Sequence, residues 1–140
     1  MELSYIVLNV EDPERVRAWY VEYLEMAVVS QDRNSFLLTG KHGGAALEIR
    51  RGKPLDHPER LTLAFHVDEV KTVFKRLSDR RVPFLSPPTR GERRRIVVQL
   101  RDPAGHTVEI FSPDLKDLEK ELTIRRQLNT GDVVRKRAVR

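Results

Sequence analysis

The chain has 140 residues, 39% hydrophobic and 34% charged, with a net charge of +5 and no cysteine. That length supports one domain with a real core, and the composition excludes disulfides and thiolate metal ligands. No apolar run reaches the roughly 18 residues of a membrane-spanning helix, and Met1-Glu2-Leu3-Ser4-Tyr5 lacks the basic and apolar segments of a secretory signal, so a cytoplasmic protein without a membrane partner is expected. The positive balance would suit an anionic ligand or a nucleic acid. Acidic residues are plentiful too, and the dense mixed charge reads more simply as the surface of a thermostable protein.

Residues 3–10 alternate, with Ile6, Leu8 and Val10 on one face and Tyr5, Val7 and Asn9 on the other, which predicts a strand. Asp12-Pro13-Glu14 supplies an N-cap, a proline at the first helical position and an acid in the first turn. Val16, Trp19, Tyr20, Tyr23 and Leu24 follow at helical spacing, so a helix is expected over residues 13–24, with the aromatic residues mainly packing on the sheet. Short strands are expected at 27–30, 35–39 and 45–50, separated by Asp32-Arg33-Asn34 and the glycine-rich residues 40–44.

After a polar connection at residues 52–60 the order repeats. Residues 61–67 alternate as a strand, and Asp68 is the expected cap of a helix whose inner face carries Val70, Val73, Phe74 and Leu77. Strands are then expected at 82–85, 95–100 and 107–111. Between the last two lies Asp102-Pro103-Ala104-Gly105, where proline sets φ, glycine permits positive φ and the aspartate bonds the backbone just ahead. This predicts a hairpin that sends the Glu109 carboxylate to the face opposite Val108 and Ile110. Two β-α-β-β-β units in one chain read as an internal duplication. Residues 114–129 predict an appended helix with Leu115, Leu118 and Leu122 on one stripe. Gly131 ends it, and a basic tail follows.

The order and spacing of four segments carry a resemblance: Tyr5-Ile6-Val7-Leu8-Asn9-Val10-Glu11-Asp12, Trp19-Tyr20-Val21-Glu22-Tyr23-Leu24-Glu25-Met26, Leu63-Ala64-Phe65-His66-Val67-Asp68, and Asp102-Pro103-Ala104-Gly105-His106-Thr107-Val108-Glu109. Over residues 3–112 the chain resembles the vicinal oxygen chelate superfamily, which includes glyoxalases, bleomycin-resistance proteins and extradiol dioxygenases. The resemblance implies an α+β fold. Two β-α-β-β-β modules, at about 3–51 and 61–112, form a curved mixed sheet around a cleft, with helices on the outer face. It also implies a domain over residues 1–113, followed by a C-terminal helix and basic tail at 114–140.

On that fold Tyr5, Asn9, Glu48, Arg50, Thr62, Ala64, His66, Thr107, Glu109 and Phe111 face the cleft, joined by Arg95, Val97 and Gln99. Metal-dependent members place His, Glu, His and Glu at positions matching Tyr5, Glu48, Thr62 and Glu109. Both carboxylates are kept and both imidazoles are absent. A phenol with a pKa of about 10 and a neutral hydroxyl are poor ligands, so no cofactor and no tightly held transition metal is expected. A divalent metal, if bound, would sit on Glu48 and Glu109 as a weak oxygen site. His66 lies about 13 Å along its strand from Thr62 at about 3.3 Å per residue, which makes it a cleft-lining hydrogen-bonding residue. His42, His57 and His106 read as surface residues.

The expected function is therefore a metal-independent small-molecule binder acting as a homodimer, with Tyr5, Asn9, Glu48, Arg50, Thr62, His66, Gln99, Glu109 and Phe111 around the ligand. The alternative is a divalent-metal-dependent lyase or dioxygenase with altered ligands, in which Glu109 and Glu48 are catalytic. A plainer role for both glutamates is ion pairing with Arg50 or Arg95. Arg90, Arg93, Arg94 and Arg95, with Arg135-Lys136-Arg137, would give phosphate contacts. No aromatic residues interleave them, so nucleic acid is not the expected partner. The first group reads as a solvated hairpin or a contact for an anionic ligand at the cleft mouth.

Overall fold

The computed structural model describes residues 1–116, 119 and 122–129. The first module comprises β1 (Tyr5–Val10), α1 (Pro13–Tyr23), β2 (Ala27–Gln31), β3 (Ser35–Gly40) and β4 (Gly43–Arg51). The second comprises β5 (Thr62–His66), α2 (Val70–Asp79), β6 (Thr89–Gly91), β7 (Arg95–Arg101) and β8 (Thr107–Pro113), after a 3-10 turn at Pro58–Arg60. Each module folds into a four-stranded mixed sheet, ordered β1-β4-β3-β2 and β5-β8-β7-β6. In both, the first and last strands run parallel and the remaining pairs antiparallel. The duplication visible in the pattern is thus a duplication of topology.

The local chemistry of α1 follows its sequence. The Asp12 carboxylate accepts from the Arg15 amide at 3.2 Å, and Pro13 opens the helix, leaving one fewer orphan donor. The expected Asp68 cap is corrected. Glu69 occupies the N-cap position and makes no side-chain cap. The Val70 amide instead donates to the Ser112 hydroxyl of β8 at 3.0 Å. A side chain 42 residues away caps this helix, which no local pattern announces.

The strand expected over 82–85 is also corrected. Arg81 has φ of 64°. Its amide donates to the Ser78 carbonyl at 2.9 Å, and the Val82 amide donates to the Leu77 carbonyl at 3.0 Å. These are the paired bonds of a Schellman ending, in which the following apolar residue packs back onto the helix. Val82 is accordingly buried: it terminates α2 and begins no strand. The fourth strand of the sheet is β6, paired antiparallel with β7, so residues 90–95 do form a hairpin. Gly91 of β6 stands so close to β7 that a Cβ there would meet Val97 Cγ2 at 2.6 Å.

Leu8, Val10, Leu47 and Ile49 of the first sheet and Leu63, Val98, Val108 and Ile110 of the second belong to one buried cluster with Val16 and Tyr20 of α1 and Val70 and Leu77 of α2. Burial of each such side chain contributes about 1.5–3 kcal/mol. Alternation then leaves Tyr5, Asn9, Thr62, Ala64 and His66 exposed on the opposite face.

Helical residues are described at 115–116, 119 and 122–129. Leu115, Leu122, Ile124 and Leu128 there are all more than half exposed. Leu118, Gly131 and the basic tail lie outside the described residues.

Candidate functional site

The register of each sheet settles which predicted residues meet. In the first module Tyr5 pairs with Ala46, Val7 with Glu48 and Asn9 with Arg50. In the second, Thr62 pairs with Thr107, Ala64 with Glu109 and His66 with Phe111. On the neighbouring strand Gln99 lies opposite Glu109 and Val97 opposite Phe111. Glu48 and Glu109 therefore hold equivalent places, each one strand in from the edge of its sheet.

Their surroundings differ. Arg50 Nη2 donates to Glu48 Oε2 at 2.5 Å, an ion pair built on one strand at i, i+2, where alternation puts both side chains on one face. Glu109 is held loosely. Gln99 Nε2 reaches its Oε1 at 3.5 Å, and Arg95 Nη1 stands 3.6 Å from its Oε2, too long for a hydrogen bond. The ion pairing expected as the plainer role is thus present for both glutamates, tight in one module and open in the other. Among the described residues no hydrogen bond or ion pair joins Glu48 to Glu109.

Around Glu109 the side chains converge. The Arg95 guanidinium lies 4.7 Å over the Phe111 ring, an arrangement favoured by the ring quadrupole. His66 packs edge-to-face with Phe111 at 5.5 Å. The floor of an open groove of about 350 Å³ is made by Arg95, Val97, Gln99 and Glu109. Ser86, Thr89, Gly91 and Glu92 form its wall. The floor residues were legible from alternation. The wall was not, because it comes from a segment whose only regular element is a three-residue strand.

Thr62 lies at the level of Thr107, away from this convergence. Thr107 itself corrects an expectation. It is buried, and its hydroxyl donates to the Glu59 carbonyl at 2.6 Å while accepting from Arg101. The 3-10 turn at Pro58–Arg60 covers it, so it does not line the cleft. Tyr5 is 51% exposed, and Asn9 stands beside Gly52, where a Cβ would meet Asn9 Oδ1 at 2.9 Å.

A divalent cation of the kind expected at the matching positions needs several nitrogen or oxygen donors converging on one point. The residues present do not fit that need. Among the described residues no group of three or more His, Asp or Glu side chains could hold a metal ion. The Glu48 carboxylate already has a guanidinium at 2.5 Å.

One polar constellation escaped the sequence. His106, read as a surface residue, is 2% exposed. Its Nδ1 lies 2.7 Å from Asp102 Oδ2, and the Tyr20 hydroxyl donates to the same oxygen at 2.6 Å. Asp102 Oδ1 accepts from the Ala104 and His106 amides at 2.9 and 3.0 Å. The ring turns back over the Asp102 turn instead of outward from the hairpin, because a carboxylate with no exposed side-chain surface must be fully bonded. Burial, with the adjacent Asp102 charge and hydrogen bond, pushes the Tyr20 phenol far above its ordinary pKa, so it remains a donor. Gly105, at φ of 91°, completes the turn. The Asp-Pro-Ala-Gly sequence signalled the turn; nothing local signalled its tyrosine partner.

A sequence profile described as the Glyoxalase/Bleomycin resistance protein/Dioxygenase superfamily matches residues 2–110. No curated protein matches the chain. Among solved structures, a glyoxalase/bleomycin resistance protein/dioxygenase from Nocardioides is similar with a TM-score of 0.68 and 18% identity, covering 80% of this chain and 83% of that one. A lactoylglutathione lyase from Agrobacterium tumefaciens is similar with a TM-score of 0.66 and 18% identity, covering 81% and 95%. TioX from Micromonospora sp. ML1 gives 0.66 and 19%, covering 80% and 98%. At such identities the likeness speaks for the fold.

Proposed function

Since the chain belongs to the glyoxalase/bleomycin resistance protein/dioxygenase superfamily, we propose that it is a metal-independent small-molecule-binding protein whose ligand enters the groove over Glu109. The observation that carries this reading is the donor set. Of the four positions matching the metal ligands of glyoxalases, two hold carboxylates, and these face arginines instead of imidazoles. A cation brought to Glu48 would have to displace a charge-assisted bond, which is among the stronger polar contacts. Meanwhile the groove over Glu109 gathers a valine side chain, a guanidinium, an amide and a carboxylate within one concavity, the mix of apolar surface and few aimed polar groups typical of ligand sites.

The test is metal analysis of the purified protein together with thermal shifts against a small-molecule library. Ligand-induced stabilisation without metal supports the reading, since anything binding only the folded state raises its stability. Stoichiometric metal, with binding or turnover abolished by a chelator, overturns it.

A second reading, a divalent-metal-dependent lyase or dioxygenase with altered ligands, draws on the retention of Glu48 and Glu109 at equivalent places. Replacement Glu109→Gln tests it: metal content and turnover unchanged by it would eliminate this reading, in which Glu109 holds the metal.

A homodimer is part of the proposal. Leu115 and Leu122 are exposed at 54% and 51%, and a second copy would cover them. Sedimentation equilibrium reads this directly, and a monomer at all concentrations would remove the dimer from the proposal.

A further inference from the structure

Resting on that reading of the groove, we infer that its ligand is an oxyanion, a carboxylate or phosphate group on an apolar body, anchored by Arg95 with Arg93 on the adjoining hairpin. The first support is the way Arg95 is held. Its Nε donates to the Glu92 carbonyl at 3.0 Å, and its Cζ lies 4.7 Å over the Phe111 ring, so the fork is held before any ligand arrives. Its terminal edge meets Glu109 only at 3.6 Å. The equivalent glutamate of the first module shows what a satisfied pair looks like, at 2.5 Å. A planar guanidinium anchored through its Nε, with its terminal edge underused, suits the paired oxygens of a carboxylate or phosphate. Both members of the pair are mostly withdrawn from water, at 23% and 17% side-chain exposure, where salt screens a charge less.

The second support is the backbone of the hairpin joining β6 to β7. Arg93 has φ of 57°. A side chain other than glycine, asparagine or aspartate costs about 1 kcal/mol or more in that region. Glycine or asparagine would make the turn more easily. The chain instead carries a cation there, beside a groove whose wall is the same hairpin. Strain kept at a site mouth together with an underused arginine fork points to a requirement for positive charge. With Arg95 turned to the anion, Glu109 and Gln99 remain to bond a neutral donor or acceptor on the ligand's body.

The experiment is isothermal titration of the full chain with four aromatic probes of similar size: benzoate, phenyl phosphate, neutral benzamide and cationic benzylamine. Benzoate or phenyl phosphate is expected to bind about tenfold tighter than benzamide, a difference of about 1.4 kcal/mol, and to weaken at higher salt. The ratio between those two tells a carboxylate ligand from a phosphate. Arg95→Gln is expected to remove that preference, and Arg95→Lys to keep part of it. The variant Arg93→Gly separates charge from folding. It is expected to raise the urea midpoint while weakening benzoate and flattening the salt dependence. A higher midpoint with unchanged benzoate affinity overturns the role of Arg93. Benzamide or benzylamine binding as well as the anions, unaffected by Arg95→Gln, overturns the oxyanion inference and leaves the groove a ligand site. No binding by any probe overturns both.

Discussion

The Tyr20 hydroxyl donates to Asp102 across 82 residues of sequence at 2.6 Å, tying the helix of the first module to the last turn of the second. Two further contacts run along the same seam. Tyr20 packs against Phe65 of β5 at 6.3 Å, and Arg80, just past α2, lies 4.8 Å over Tyr23 of α1. The duplicated modules are thus joined by their helices and one buried carboxylate.

Tyr20→Phe should lower stability by about 2 kcal/mol, the range for a hydrogen bond to a charged buried group, read as a fall in the urea midpoint at neutral pH. It should also change the alkaline limb. The folded-state phenol titrates above its ordinary 10.0, so its contribution is complete below that pH. As pH rises past it the unfolded chain ionises first, and stability falls. The variant lacks this group, and its stability should decline less steeply above about pH 10. Equal slopes would show that the phenol is not held neutral.

Glu25 should govern part of the acid limb. The Arg76 guanidinium, hydrogen-bonded to it at 2.5 Å, and then Lys41 hold its carboxyl below the ordinary range. A lowered folded pKa means the contribution is present above the unfolded value and is lost as pH falls through the folded one. Because Glu25 is nearly half exposed, solvent and salt reduce the effect. Arg76→Ala should shift the acid unfolding midpoint upward slightly, and high salt should erase the difference.

Arg81→Gly should stabilise the protein. Arg81 is exposed and sits at φ of 64°, the position after a helix that glycine fills without penalty. A gain of about 0.5–1 kcal/mol is expected, seen as a rise of about 2–4 °C in Tm. A loss of stability would mean that the Arg81 side chain makes a contribution larger than its backbone strain.

Arg50→Gln should leave benzoate affinity within about twofold of the parent, since independent sites add, whereas the same change at Arg95 removes the preference for anions. Equal effects at the two arginines would show that the modules share one ligand.

Much of this was legible in the chain. Strand alternation, the Asp12-Pro13 cap and the Asp-Pro-Ala-Gly turn are local chemistry, and local chemistry is written in neighbouring residues. So the helix at Pro13, the hairpin from β7 to β8, and the placing of Gln99, Glu109 and Phe111 on one face followed from spacing. The resemblance carried by four segments reached the superfamily. One segment misled because its partner lies far along the chain, and two because a tight turn to near neighbours leaves no periodicity. Asp68 looked like a cap, but Ser112 supplies one. Val82 looked like a strand residue, but it closes a Schellman turn. His106 looked exposed, but Asp102 draws it inward.

Spacing and turn chemistry placed most of the elements and their duplication, and the resemblance identified the positions from which imidazoles are missing, but the strand at Thr89–Gly91 left no such trace. Only the tertiary structure decided that Glu48 is closed by Arg50 while Glu109 stays open beneath Arg95. Only it decided that a tyrosine, an aspartate and a histidine share one buried set of bonds. The reason is physical. Periodicity assigns a side chain to a face, but the distance between two charges, and the water left between them, depend on how separate segments pack.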